Sequence, residues 1–411
     1  MSVVGGYTED LVENRCPVKF QNVDFCAPST HDNPYEMYDY FLEHEPIYFD
    51  EKNGVWEVFR YDDIVMIERD TETFINGEGV RPNIPPDPGM IYQDGEQHSK
   101  QRALVSSGFT PRQMRKMEDR AREIVVDLVD KMLEKDEVEI VTDLAGALPS
   151  RLIADMLDIP EEKRPTVLGW INMIMMGGCG PEYVTDEVND AFEGFCMHHE
   201  EMYQDRLAKG CTGSDLLTIW MNAEINGEKL DESQLLFEHV LLNVGGAETT
   251  RSAIAGGLHQ LSLDPKQYDA LSDDPSLIPN AVEEIIRWVC PFVNMYRTAT
   301  RDYELHGKVI KEGQQVGLTY PAANRDPSKF KNPHEFNIFR DFSKEARHLS
   351  FGLGPHFCLG SNLARMEIRL SLEEMTQRVK KISIPEGKDV EYVSSSFVRG
   401  LSKFPAILDP R

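Results

Sequence analysis

The chain has 411 residues, with 43 Lys and Arg against 70 Asp and Glu, giving a formal net charge of −27. That balance argues against nonspecific nucleic-acid binding and adhesion to anionic membranes. With 41% hydrophobic and 27% charged residues and no uninterrupted apolar run of about 18 residues, the chain can bury a large core but offers no transmembrane helix.

Residues 1–10 (MSVVGGYTED) lack the basic start and apolar core of a secretory signal, so the simplest address is the cytoplasm. Seven cysteines, Cys16 among them, are spread without a C-x-x-C pair. That argues against a disulfide scaffold or zinc ribbon and leaves each thiol as a small buried apolar group unless its surroundings promote it. No repeat, linker or low-complexity block divides the chain, so one continuous domain over 1–411 is expected.

In chain order, Ile47-Tyr48-Phe49 and Val55-Trp56-Glu57-Val58-Phe59 flank Asn53-Gly54, a pair suited to a tight hairpin turn. Arg81, in Gly79-Val80-Arg81-Pro82, reads as an exposed loop arginine, with contact to a polar group of a ligand as the alternative. His98 and Arg102 stand four apart on one helical face. From Gln97 to Met117 there is no acidic residue, although Lys100, Arg102, Arg112, Arg115 and Lys116 are present. Apolar residues at three- and four-residue spacing predict a helix over 113–133. His198-His199-Glu200-Glu201 reads as a solvated helical stretch rather than a metal site, because neighbouring residues point to different faces.

Asp231 and Gln234 predict a capping box ahead of a long helix over 232–261. Inside it lies Gly245-Gly246-Ala247-Glu248-Thr249-Thr250. Each interior glycine costs roughly 1 kcal/mol of helix stability, and Thr249 can bond back to a carbonyl, so a local kink and a widened groove are expected. Taken alone, the glycines read better as a close helix crossing. A helix over 279–289, ended by Pro291, carries Glu284 and Arg287 three residues apart and able to interlock. Tyr303-Glu304-Leu305 and Lys308-Val309-Ile310 predict a second short sheet.

The densest signal is Phe351-Gly352-Leu353-Gly354-Pro355-His356-Phe357-Cys358-Leu359-Gly360, followed by a helical run over 361–378. Glycines permit a tight loop, and a cysteine just before a helix start meets unpaired N–H groups and the positive end of the helix dipole, which favour a thiolate. An isolated G-x-H-x-C reads as a buried cysteine in a turn; the full F-G-x-G-x-H-x-C-x-G spacing is far more specific.

On these residues the sequence resembles the cytochrome P450 superfamily, and the matching pieces follow in order along nearly the whole chain. The resemblance implies a mainly α fold with small β-sheets, and haem b between the long kinked helix and the cysteine-bearing loop. It makes Cys358 the axial thiolate, which pushes electron density onto iron and favours O–O cleavage of dioxygen. Phe351, Gly352 and Gly360 then shape the haem loop, and Gly245 and Ala247 the oxygen groove. Glu248 is assigned to proton delivery and Thr249 to holding the oxygen ligand and its water. His98, Arg102, Arg297 and His356 become partners of the haem propionates, while Glu284 and Arg287 form a structural pair behind the loop.

By the same resemblance the substrate pocket takes in Ile84, Met90, Met175, Val244, Phe292, Val293, Phe397 and Val398. Further stretches look like the bacterial branch that oxidises steroid side chains and terpenoid chains. A monooxygenase hydroxylating such a hydrophobic small molecule is therefore expected. The alternatives are a biosynthetic hydroxylase of an amino acid or polyketide, free or carrier-bound, and a haem-binding protein without turnover, which leaves Glu248 and Thr249 unexplained. No G-x-G-x-x-G follows a strand and no flavin segment is present, so electrons should come from a separate ferredoxin and its reductase. The basic stretch, with Arg340, Lys344 and Arg347 nearby, reads equally as a docking patch for that partner or as a solvated helix face.

Overall fold

Local signals account for most of the helices. Thr110 caps the helix Pro111–Leu133 by accepting from the Gln113 N–H at 3.4 Å, with proline in its first turn. Asp231 and Gln234 make a reciprocal capping box, Gln234 N to Asp231 Oδ1 at 2.8 Å and Asp231 N to Gln234 Oε1 at 3.0 Å. The helix that follows, Glu232–Leu263, is the longest of the molecule, and residues 245–250 lie within its continuous α pattern. Helices Ile278–Val289 and Ser361–Arg378 occur where expected, the latter running into the strand Val379–Ser383. The computed structural model describes residues 20–411; Cys16 and the 1–10 segment lie outside the described residues. Among those described, no helix is long and apolar enough to cross a membrane.

The apolar faces of these helices meet around Glu232–Leu263, which packs on Ala147–Met156, Ile278–Val289 and Ser361–Arg378. Beside this helical body lies a five-stranded sheet, in the order Ile47–Asp50, Val55–Val58, Gln315–Thr319, Asn294–Ala299 and Phe74–Ile75. All neighbours are antiparallel except Val55–Val58 with Gln315–Thr319. The expected hairpin near the start is thus only one edge of a sheet completed from far along the chain. Its turn also differs from expectation. Asp50 pairs with Val55, so residues 51–54 form a four-residue loop in which Gly54 has φ +68°, while Asn53 lies outside the left-handed region. The Asn53 amide instead ties Asp50 Oδ2 at 2.7 Å to Asp24 Oδ1 at 2.8 Å. Tyr303–Leu305 and Lys308–Ile310 form the small separate ribbon predicted for them.

Candidate active site

The cysteine loop is built by its own backbone. Cys358 N donates to Phe351 O at 2.9 Å and Gly352 N to Leu349 O at 2.8 Å, folding the segment back on itself. Gly352 and Gly354 adopt φ of +62° and +66°, and a Cβ on either would press on Glu68 at 3.0 Å or less. Burial raises the Cys358 thiol, while the Gly360 and Ser361 backbone N–H groups and the Arg102 guanidinium pull it back toward the thiolate.

Cys358 opens into a cavity of ≈570 Å³ that also touches Phe351, Gly352, His356 and Gly360. On one flank the structure gathers all four side chains assigned to anion binding: His98, Arg102, Arg297 and His356. The His98 and His356 rings lie 4.0 Å apart between centroids, tilted by 34°. Burial keeps both imidazoles neutral, taking His356 down to about 2 with Arg297 beside it adding to the effect. Arg102 Nη2 donates to Phe357 O, tying its helix Gly95–Ser106 to the cysteine loop. Arg297 Nη1 donates to Tyr296 O at 2.9 Å, and its Nη2 lies 3.6 Å from Glu68 Oε1.

The opposite flank is the long helix. Gly245, Gly246, Thr249 and Thr250 share the face turned to the cavity, as three- and four-residue spacing requires. A Cβ on Gly245 would meet nothing within 4 Å, whereas one on Gly246 would meet Ile153 Cδ1 at 2.5 Å. One glycine therefore leaves room for a ligand, and the other lets two helices close. Thr249 Oγ1 donates to Gly245 O at 2.7 Å. Two expectations are corrected here. Neither Ala247 nor Glu248 lines the cavity: Ala247 is packed in the core, and Glu248 is ion-paired with Arg251.

Of the pocket residues, Ile84, Met90, Met175, Val244, Phe292 and Phe397 line the cavity. Val293 and Val398 do not. Val293 N bonds to Phe397 O at 2.9 Å and Val398 bridges Phe292, so both stand in the backbone layer behind the wall. The exposed reading of Arg81 is also overturned: it is 4% exposed and is part of the cavity wall. Glu68, which lines the cavity and backs Arg297, was not singled out from sequence. Its partners Arg297 and Tyr320, the latter donating at 2.8 Å, come from the distant sheet region.

Glu284 and Arg287 interlock with no exposed surface. Arg287 Nε and Nη2 donate to the two carboxylate oxygens at 2.7 and 2.8 Å, and the guanidinium also reaches the carbonyls of Asn324, Pro333 and Glu335. Arg340 joins this knot through Glu284 Oε2 at 3.0 Å. It is buried, and Lys344 is ion-paired with Asp341 at 2.6 Å, so neither is a free docking cation. Lys100 is taken up by Glu96 and Glu228. Arg112, Arg115 and Lys116 remain exposed and without an ion pair among the described residues, as does Arg347, whose guanidinium covers Phe357 at 4.7 Å. The helix bearing Arg112, Arg115 and Lys116 packs on Ser361–Arg378, joined to it by Arg369–Glu118 at 2.7 Å and Arg122–Glu373 at 3.0 Å. His198 and His199 are not solvated: both are buried in the helix Asp186–Ala208 beside His239. Among the described residues no three or more His, Cys, Asp or Glu side chains are placed so that they could hold a metal ion.

The residues present fit haem. A sulfur lies at the head of a helix, His98 Nε2 is a buried polar atom with no partner, and two guanidiniums beside it match two carboxylates. Cys358 would ligate the iron, with His98, Arg102, Arg297 and His356 toward the propionates.

The family model for cytochrome P450 matches residues 276–401. Over 377 residues the chain is 33% identical to the steroid C26-monooxygenase of Mycolicibacterium smegmatis, covering 91% of this chain and 92% of that protein. Among solved structures, CYP109E1 from Bacillus megaterium in complex with testosterone superposes with a TM-score of 0.81 at 27% identity, covering 91% of this chain and 99% of that one. The bacillaene polyketide synthase cytochrome P450 PksS of Bacillus subtilis gives a TM-score of 0.85 at 31% identity, covering 94% of this chain and all of that one.

Proposed function

The chain belongs to the cytochrome P450 family, and from that premise we propose that this monooxygenase hydroxylates a steroid or terpenoid with electrons delivered by a ferredoxin. Haem b, when bound, supplies the activation of dioxygen and the insertion of one oxygen atom. One observation carries the substrate reading: the cavity that holds Cys358 is walled elsewhere by Ile84, Met90, Met175, Val244, Phe292 and Phe397. Such a wall rewards a bulky apolar ligand, and methionine adapts to irregular hydrocarbon shapes. The steroid C26-monooxygenase relative and the testosterone-bound structure support the same class.

The remaining roles belong to the chain itself. Cys358 would hold the haem iron through its sulfur, and the four-residue cluster of His98, Arg102, Arg297 and His356 would take its two carboxylates. Gly245 keeps a space open on the cavity side of the long helix. Thr249 places a hydroxyl on that space and, once released from Gly245 O, holds a proton there by hydrogen bond. Glu248 delivers protons only after its carboxyl leaves Arg251 and swings round the helix. Arg112, Arg115, Lys116 and Arg347 offer cations close to the cysteine loop for an acidic electron carrier.

The test is turnover of a steroid and terpenoid panel with a reconstituted ferredoxin and reductase under ¹⁸O-labelled dioxygen. One labelled atom in a hydroxylated product is expected; label entering from water alone would contradict the reading. The likeness to PksS supports a second reading, oxidation of a polyketide or amino acid held on a carrier protein. Tight binding of a loaded carrier domain, with no spectral response to free steroids, would favour it.

A further inference from the structure

Arg81 is a buried cation in the cavity wall. Nε donates to Gly178 O at 2.7 Å, and Nη1 donates to Asn294 O at 2.7 Å and Asn294 Oδ1 at 3.0 Å. These bonds tie the end of the helix Arg164–Gly177 to the strand Asn294–Ala299. The guanidinium carbon lies 4.0 Å from the centre of the Phe397 ring, and Gly178 and Phe397 line the same cavity. Nη2 is left buried with no hydrogen-bond partner. Among the described residues Arg81 has no ion pair. Glu57 is linked to it through the Asn294 amide at 3.4 Å, but that carboxyl already accepts from the hydroxyls of Tyr296 and of Thr319, the latter at 2.8 Å. Asp87, also in the wall, is engaged by Gly89 N at 2.7 Å.

An unpaired charge with an unused donor in an apolar wall is costly, and a guanidinium is shaped to bind a carboxylate. We infer that this part of the cavity is a carboxylate subsite, in which Arg81 holds an acidic group of an otherwise hydrophobic substrate and so sets which carbon faces Cys358. The inference rests on the reading of the cavity as the substrate pocket of a haem monooxygenase. It adds to that reading a preference for hydrophobic acids over their esters. Arg81 is then a specificity residue as well as a tie between two elements.

The holoenzyme should be titrated by its spin-state spectrum with two matched pairs: lithocholic acid and its methyl ester, dodecanoic acid and its methyl ester. Each titration is repeated in Arg81→Gln and Arg81→Lys, with the reduced carbon monoxide spectrum of each variant as a check on folding and ligation. In at least one pair the acid should bind the wild type about tenfold or more tighter than the ester, as a hydrogen-bonded charge contact gives. Arg81→Gln should erase that preference by weakening the acid alone, and Arg81→Lys should restore part of it. If the acid is preferred in the dodecanoate pair while both steroids are silent, the subsite stands and the steroid reading falls. Steroid acid and ester binding alike would overturn the subsite and leave the steroid reading in place. Equal weakening of acid and ester in Arg81→Gln would reduce Arg81 to a structural tie, and silence of all four probes would overturn both.

Discussion

The hydroxyl of Thr249 lines the cavity one helical turn from the open space at Gly245, and it is spent on the Gly245 carbonyl. Replacing Thr249 by Ala removes the group without disturbing the fold. Electron consumption should continue while product formed per electron falls several-fold, and Thr249→Ser should restore the coupling. Reductant consumed against product formed is the measurement, and unchanged coupling in Thr249→Ala would remove Thr249 from the proton chemistry. Residues whose surroundings are local were readable from sequence: the Cys358 spacing, and the Glu284–Arg287 pair. The same three-residue spacing links Glu248 to Arg251, so the ion pair that turns Glu248 from the cavity was also written there. Arg81 was not readable. Its partners Gly178 and Asn294 stand 97 and 213 residues away, and a lone loop arginine carries no sign of them.

Helices expose a second limit of sequence reading. His198 and His199 lie on different faces of the helix Asp186–Ala208, and both are buried because that helix packs on Arg164–Gly177 along one side and on Glu232–Leu263 along another. His199 Nδ1 and His239 Nδ1 share a hydrogen bond of 3.0 Å, and the Nε2 atoms of His198, His199 and His239 are buried without partners. Burial lowers all three, His199 to about 4, so the folded state keeps them neutral. The contribution of His199 is fully present above the ordinary histidine range near 6.5 and is lost as pH falls from there toward 4, because the unfolded chain takes up a proton that the folded one refuses. His199 adds a slope of up to about 1.4 kcal/mol per pH unit in that window. Glu57 and Glu238, pushed up to about 7 by burial, slope the other way. The comparison that isolates the histidines is therefore urea unfolding of wild type and His199→Gln at pH 7 and pH 5. The variant should lose less stability on acidification than the wild type, and an equal loss would mean that the cluster takes no part.

At the scale of the molecule, a chain of charge −27 keeps Arg112, Arg115 and Lys116 without an ion pair among the described residues, on a helix packed against the one that follows Cys358. Converting all three to Gln should slow reduction by a ferredoxin at low ionic strength and flatten its salt dependence, with little change at high salt where charges are screened. An unchanged rate in stopped-flow reduction would place docking elsewhere. The helical body was legible because its caps, glycines and apolar spacing act over a few residues. The five-stranded sheet was not, since Val55–Val58 pairs in parallel with Gln315–Thr319 across most of the chain and neither segment signals the other. The cavity shares that property, being assembled from the loop of Arg81, helices from along the whole chain, a strand and the cysteine segment. Everything proposed for it depends on Cys358 ligating haem iron as a thiolate. The reduced holoenzyme treated with carbon monoxide tests this directly. A strongly red-shifted Soret band, lost in Cys358→His, is the predicted result, and a band at the unshifted position in folded, haem-loaded wild type would contradict the account.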